Sequence, residues 1–464
     1  MDKKYKELLD NTLIFTLGKF GSRMITFLLV PLYTNVLSVE EYGTGDFVIT
    51  CSYLIVPIIS LVFQDAILRF GLKEGESRNQ VALNSFIVFC VGTLVTFLMI
   101  PVWTLYESLN SWKWYLTALI ISNNACNIFF TYAKVKNQNK LFAFSSILQT
   151  FILAVINILL LVVFKYGVKG YLMANIVANI VPAIFIIFKT NIIVDACKAR
   201  FNIKLFNEML VYSIPLIANN LSWWVLNSSN RVMIEYFISA SALGLYTAAS
   251  KIPAFLSIIT SVFSSAWSIS SIKDYDSSKD KYFYSNIFKI FSTIMHLGAS
   301  FIILTIKPLM FIYVGHEFFK SWVYVPFLVL GAVYFAYSTF FGAIYGAVKK
   351  NKMVTITTLV AAVVNISFNM LLIPYIGIMA ASIATLLGYA TIGFYRMFNS
   401  KKYFSFPIDY KTLFLNSFIL IIQCLCVTYD LYGYAISIVA LCSLIIINID
   451  DLRVVYNKIL RRKV

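Results

Sequence analysis

Lys19 and Arg23 stand four residues apart in TLGKFGSRMITFLLVPLY, inside the first long apolar run of the chain. At helical spacing they share one face, and this run holds no acid to pair with them. Against lipid the two charges would cost roughly 5–7 kcal/mol on insertion scales, so the face they share is expected to border a wet, cationic chamber. For Lys19, about two turns into the run, snorkelling to the interface is the competing reading. Lys251 is similarly placed, with no acid within a turn. Asp65 with Arg69 and Arg231 with Glu235 are opposite charges four apart, expected to form local ion pairs; Arg69 lies near enough to an interface to snorkel. Asp46, Asp65, Glu235 and His296 are the candidates for carrying a coupling ion or proton, with a hydrogen-bonded core role the competing reading of His296. Tyr246 and Trp267 could offer ring faces to a sugar, against ordinary packing; for Trp223 and Trp224 packing or an interfacial belt is preferred.

Such residues need spans to hold them. The 464 residues are 60% hydrophobic and 13% charged, with a mean hydropathy of +0.80. That is too little charge to cover a soluble surface of this size, so an all-α integral membrane protein is expected. About fourteen apolar runs reach or approach the length of a span. The last two are short and joined tightly around Asp430 to Gly433. Lys and Arg alternate in density from loop to loop. Lys73, Arg78, Lys134, Lys136, Lys140, Lys198, Arg200, Lys204, Arg396 and the basic tail fall on one side, with Lys113, Lys165, Lys169, Lys307 and Lys320 on the other. The positive-inside rule then puts both termini in the cytoplasm and makes most of the +17 net charge topological. The basic loops are read as attracted to anionic lipid and not to nucleic acid. The seven cysteines show no metal-ligand spacing, and no cofactor is expected.

Two sequence pairs recur about 200 residues apart. Leu37-Ser38 with Tyr42-Gly43 matches Ile238-Ser239 with Leu243-Gly244, and Gly167 to Ala174 matches Gly377 to Ala384. Their similar offset predicts two pseudo-symmetric six-helix bundles, residues 1–205 and 206–398, joined by the basic linker from Thr190 to Phe206. Residues 399–464 add a helical hairpin and a basic cytoplasmic tail. Pro31, Pro57, Pro215 and Pro253 fall in the first two spans of each half, where they either bend their helices or are simply tolerated.

The stretch PLYTNVLSVEEYG (31–43), with Ile67 to Phe70, Tyr212 to Leu216, Asn230 to Ile234, Gly244 to Lys251 and Pro374 to Gly377, resembles the bacterial Wzx-type polysaccharide flippases. These belong to the multidrug/oligosaccharidyl-lipid/polysaccharide exporter superfamily, and the resemblance runs in order from about residue 8 to 400. Two departures are Asn230, where the family often has Asp, and Ala380, where it has Gly. The resemblance implies a MATE-like fold in a bacterial inner membrane. It implies transfer of an undecaprenyl-diphosphate-linked oligosaccharide from the cytoplasmic to the outer leaflet, for O-antigen or capsule synthesis, with polymerase and assembly proteins as further partners. A chamber lined by Lys19, Arg23, Arg69, Arg231 and Lys251 would suit a diphosphate, since Arg forks onto phosphate oxygens and Lys acts as a point charge.

An enzyme is not expected: no P-loop or HExxH occurs and the outer loops are short. Other readings are a lipid II flippase of the same superfamily, a drug or cation antiporter, and a non-transporting scaffold of an envelope-assembly complex. The antiporter would want unpaired membrane acids, which are few here.

Overall fold

The computed structural model describes residues 24–73, 77–277, 281–348 and 350–453. In chain order its helices begin with α1 (Met24–Val36), α2 (Val39–Ile59), α3 (Phe63–Gly71), α4 (Arg78–Leu98), α5 (Ile100–Thr104) and α6 (Glu107–Asn110). Then come α7 (Lys113–Val135), α8 (Asn139–Asn157), α9 (Gly167–Thr190), α10 (Ile192–Lys198), α11 (Ile203–Phe237), α12 (Ala240–Ser250) and α13 (Ala254–Ser277). The series closes with α14 (Lys281–Leu304), α15 (Ile306–Tyr313), α16 (Val325–Ala347), α17 (Asn351–Ile376), α18 (Ile378–Ser400), α19 (Tyr410–Thr428) and α20 (Gly433–Ile447). A π-helical stretch, Ile158–Val163, extends α8, and a 3-10 helix, His316–Tyr324, leads into α16. No strand occurs among the described residues.

Ten helical stretches among the described residues are long and apolar enough to cross a membrane, and eleven if α12 and the first part of α13 form one bent span. Three further runs of the fourteen expected are helical but fall short of that standard. These are α1 and α20, which are shorter, and α7, whose middle carries Ser122, Asn123, Asn124 and Asn127. The second of the fourteen apolar runs, read from the sequence as one span over residues 43–70, is not one helix but α2 and α3. Leu61 and Val62 take left-handed backbone angles, φ 52° and 51°, at a cost of roughly 1–2 kcal/mol per residue. The Ser60 hydroxyl accepts the Val62 N–H at 3.3 Å inside this break. Of the expected proline bends, Pro253 stands in a break of 47° between α12 and α13, whereas α11 continues through Pro215.

The repeat has a physical basis. Ser38 caps α2: its hydroxyl accepts the Glu41 N–H at 3.2 Å, while the Glu41 carboxylate accepts the Ser38 N–H at 2.9 Å, a reciprocal capping box. Ser239 caps α12 through the Ala242 N–H at 3.1 Å. Gly167 and Gly377, at the starts of α9 and α18, both have positive φ, 54° and 59°, where a side chain would be strained.

The chain folds into two units, one comprising residues up to Trp224 with Ser239–Gly244, the other Val225–Ile238 with Leu245 onward. In the first, Phe63, Ile67, Phe129, Tyr132, Ile186 and Met209 form a core in which α3, α4, α7, α9, α10 and the start of α11 meet. In the second, α16 is apolar all round and is the buried centre. Small residues let α18 close on it, for a Cβ on Gly393 would lie 2.7 Å from the Tyr334 carbonyl oxygen.

Candidate functional site

Lys19 and Arg23 lie outside the described residues. Of the other expected cations, Arg69 belongs to the first unit, and Arg231 and Lys251 belong to the second.

In the first unit, Arg69 projects from the last turn of α3. The expected Asp65–Arg69 ion pair is not among the described contacts. The Arg69 guanidinium lies instead over the Tyr212 ring, 4.4 Å from its centre. A cation–π contact can outcompete an i,i+4 pair here because both charges are exposed, and an exposed pair contributes little. A cavity of about 840 Å³ opens beside Arg69, lined also by Lys73, Lys204, Asn207, Glu208 and Tyr212. Its far wall is the first turns of α11, which Asn202 caps by accepting the Lys204 and Leu205 N–H groups at 3.1 and 3.3 Å.

In the second unit, Arg231 donates to the Asn227 carbonyl at 3.2 Å and to the Ser250 hydroxyl at 3.3 Å. Lys251 follows Ser250 in the turn that ends α12, so Arg231 bonds the chain immediately before it. The Tyr389 hydroxyl donates to the Asn227 side chain at 2.6 Å on the same face. Glu235 is half-buried one turn beyond Arg231.

The two proposed sugar platforms are not open. Trp267 is 3% exposed; its ring stacks on Phe340 at 4.5 Å and its N–H donates to the Phe340 carbonyl. Tyr246 is also buried, its hydroxyl bonded to Asn230 at 2.9 Å and to Thr385 at 3.2 Å. Both rings serve packing, which is how an amphipathic aromatic satisfies its polar atom in a core. The Tyr246 bonds belong to a buried amide network. Asn369 donates to the Asn230 side-chain oxygen and to that of Asn365, which also accepts from Ser229 at 3.2 Å.

Among the ion-coupling candidates, His296 is fully buried between the Ser292 carbonyl at 2.8 Å, the Tyr337 hydroxyl at 3.3 Å and Ser417 at 3.4 Å. It is a hydrogen-bonded core residue in this conformation. Asp46 is buried on α2 and Asp65 is exposed on α3.

A family model described as polysaccharide biosynthesis protein matches residues 8–268, more than half of the chain. The chain belongs to that family. A curated relative, Lsg locus putative protein 1 of Haemophilus influenzae, is 22% identical over 259 residues. The match covers 54% of this chain and 63% of that relative. The fold is similar to that of the lipid II flippase MurJ in its inward closed conformation, with a TM-score of 0.68, 14% identity and coverage of 94% of this chain and 99% of that one. It also resembles the Vibrio cholerae MATE transporter VcmN, as its D35N mutant, with a TM-score of 0.59, 14% identity and coverage of 86% and 96%. An inward-facing MATE transporter of the MOP superfamily gives a TM-score of 0.62 at 14% identity, covering 82% and 98%. At these identities the likeness establishes the fold.

In this member of the polysaccharide biosynthesis family, sequence reasoning missed Arg396, read only as a basic loop residue. Arg396 is 3% exposed inside the second unit. Its guanidinium donates to Thr357 Oγ1 at 3.0 Å, Thr358 Oγ1 at 3.0 Å, the Ser338 carbonyl at 2.9 Å and the Val354 carbonyl at 3.2 Å. It clamps α16, α17 and α18 together. A Cβ on Gly342 would come within 2.8 Å of one of its nitrogens, so that glycine makes the room.

Proposed function

We propose that the protein is a flippase that moves an undecaprenyl-diphosphate-linked oligosaccharide from the cytoplasmic to the outer leaflet of a bacterial plasma membrane. The observation that carries the reading is a polysaccharide biosynthesis family match on a chain whose fold follows MurJ over 94% of its length. On this reading two six-helix bundles, residues 1–205 and 206–398, work by alternating access through a cationic cavity. Lys19, Arg23, Arg69, Arg231 and Lys251 hold the diphosphate, and Asp46, Asp65 or Glu235 supplies any ion coupling. Both termini face the cytoplasm, anionic lipids meet the basic loops, and surface-polysaccharide polymerases for O-antigen or capsule take the product.

Reconstitution tests it. In vesicles carrying a fluorescent undecaprenyl-diphosphate oligosaccharide, the protein is expected to speed exchange between leaflets well beyond protein-free vesicles. Equal rates would remove the proposal. The MurJ likeness favours lipid II as the second reading, and rescue of cells depleted of their lipid II flippase would support it.

A further inference from the structure

We propose that Asn127 and Gln149, at the middle of α7 and α8 in the first unit, form a glycan-reading site that bonds the uncharged hydroxyls of the sugar carried by the lipid. The inference rests on the flippase reading and adds to it the residues that select the sugar. Phosphate plays no part in it.

A layer of neutral polar side chains joins four helices. Asn179 on α9 donates to the Asn123 side-chain oxygen at 3.1 Å and to the Ser122 hydroxyl at 3.3 Å, both on α7. Asn123 donates to the Ser52 hydroxyl on α2 at 3.4 Å, and Gln149 on α8 donates to the Asn179 side-chain oxygen at 2.8 Å. Gln149 also approaches the Cys126 sulfur, one residue before Asn127, at 3.7 Å. Asn123 and Asn179 stand at the middle of helices of 23 and 24 residues, and Gln149 at the middle of the 25-residue stretch Asn139–Val163. At 1.5 Å per residue such helices match the hydrocarbon core, so the layer lies near mid-bilayer.

Helix packing accounts for part of this layer, since hydrogen bonds between amides and hydroxyls hold membrane helices together. It does not account for Asn127. Among the described residues the Asn127 amide forms no hydrogen bond, and the Gln149 side-chain oxygen forms none either. Asn127 is exposed, and the only other exposed residue of α7 is Trp114 in its first turn. A lipid-facing stripe would recur every three or four residues, yet Asn124, Phe130 and Thr131 are buried and Asn123 is half-buried. The exposure is therefore a local opening at mid-depth, and an amide there needs a polar occupant.

The chemistry of the opening selects that occupant. An amide offers a donor and an acceptor side by side, which suits a hydroxyl that both gives and takes a hydrogen bond. Asn179 fixes the Gln149 amide nitrogen and leaves its oxygen as a further acceptor. The layer around them consists of amides, hydroxyls and a thiol, a setting that matches neutral sugar hydroxyls better than an ion.

The test uses the full chain in nanodiscs with two probes: the lipid-linked repeat unit extracted from the cells that make it, and undecaprenyl diphosphate without sugar. The wild type should prefer the glycosylated lipid at least about tenfold. Asn127→Leu should weaken the glycosylated lipid about tenfold, as expected for two lost hydrogen bonds, and leave the bare lipid unchanged. Its thermal unfolding should match the wild type, because Asn127 has no internal bond to lose, and Asn127→Gln should recover part of the affinity. No wild-type preference for the glycosylated lipid, unaltered affinity in Asn127→Leu, or equal losses for both probes would overturn the site. A wild type that prefers the glycosylated lipid through Asn127 yet exchanges none between leaflets would instead sink the flippase reading and leave the glycan site standing.

Discussion

Gly43 and Gly244 meet in the first unit with a reciprocity that can be measured. A Cβ built on Gly43 would collide with the Ala240 carbonyl oxygen, and one on Gly244 with the Val39 carbonyl oxygen. The first turns of α2 and α12 therefore cross with backbone against backbone, four residues from the start of the contact on each side. Both obstacles are main-chain atoms that no rotamer change can move. Gly43→Ala must push the helices apart by on the order of 1 Å to restore an ordinary carbon–oxygen contact. Overpacking of this kind costs about 1–3 kcal/mol, well above the roughly 0.5–1 kcal/mol that alanine returns in helix propensity. Gly346 supplies the control. It lies in α16, with nothing within 4 Å of its would-be Cβ, so Gly346→Ala is expected to be neutral or to stabilise by up to about 1 kcal/mol. Thermal unfolding of the detergent-purified proteins reads the difference. The double variant Gly43→Ala with Gly244→Ala should cost less than the sum of the singles, because the first Cβ has already opened the crossing for the second. Gly43→Ala as stable as Gly346→Ala, or strict additivity at the crossing, would refute the reasoning.

Arg396→Ala removes four hydrogen bonds that tie α18 to α16 and α17 and leaves a guanidinium-sized void inside the second unit, although Thr357 and Thr358 still donate to the Val354 carbonyl; a loss of about 2–5 kcal/mol is expected, visible as a loss of monodisperse protein in size-exclusion chromatography. Asn230→Ala leaves Tyr246, Thr385 and Asn369 short of partners and should cost about 2–4 kcal/mol in the same unfolding assay, whereas a change below about 0.5 kcal/mol would mean the amide network carries no stability. At the Lys-rich end, burial raises the Asp195 carboxyl, but bonding from the Lys136 ammonium and the Tyr132 hydroxyl outweighs it and holds the group below its ordinary range. Its stabilisation is therefore present above the unfolded pKa and lost as pH falls through the lowered folded value. Asp195→Asn should speed hydrogen exchange over 192–198 at neutral pH, and the gap to wild type should close below about pH 4. Arg23→Ala should abolish export at unchanged protein level while Arg23→Lys keeps part of it; full export by the alanine variant removes Arg23 from the site.

What could be read from sequence was local. Ser38, Glu41 and Ser239 announce helix starts because capping joins residues three apart. Gly167 and Gly377 repeat because both stand at positive φ. The contacts that sequence hid join distant segments. Arg69 passes over Asp65, four residues away, for Tyr212 on α11. Arg396 gathers partners from α16 and α17, and no spacing within α18 signals that. Trp267 and Tyr246 are amphipathic enough to serve a sugar or a core, and only the stacking of Phe340 and the hydroxyl of Thr385 decide for the core. The break at Leu61 and Val62 escaped because two apolar residues give no turn signal.

The central claim is that lipid-linked oligosaccharide crosses the membrane through this protein. Cells depleted of it, with glycan synthesis left running, should accumulate the lipid-linked repeat unit in the cytoplasmic leaflet, shielded from an external glycan-modifying probe, and re-expression should clear it. Depleted cells in which the repeat unit reaches the outer leaflet at the normal rate would contradict the account.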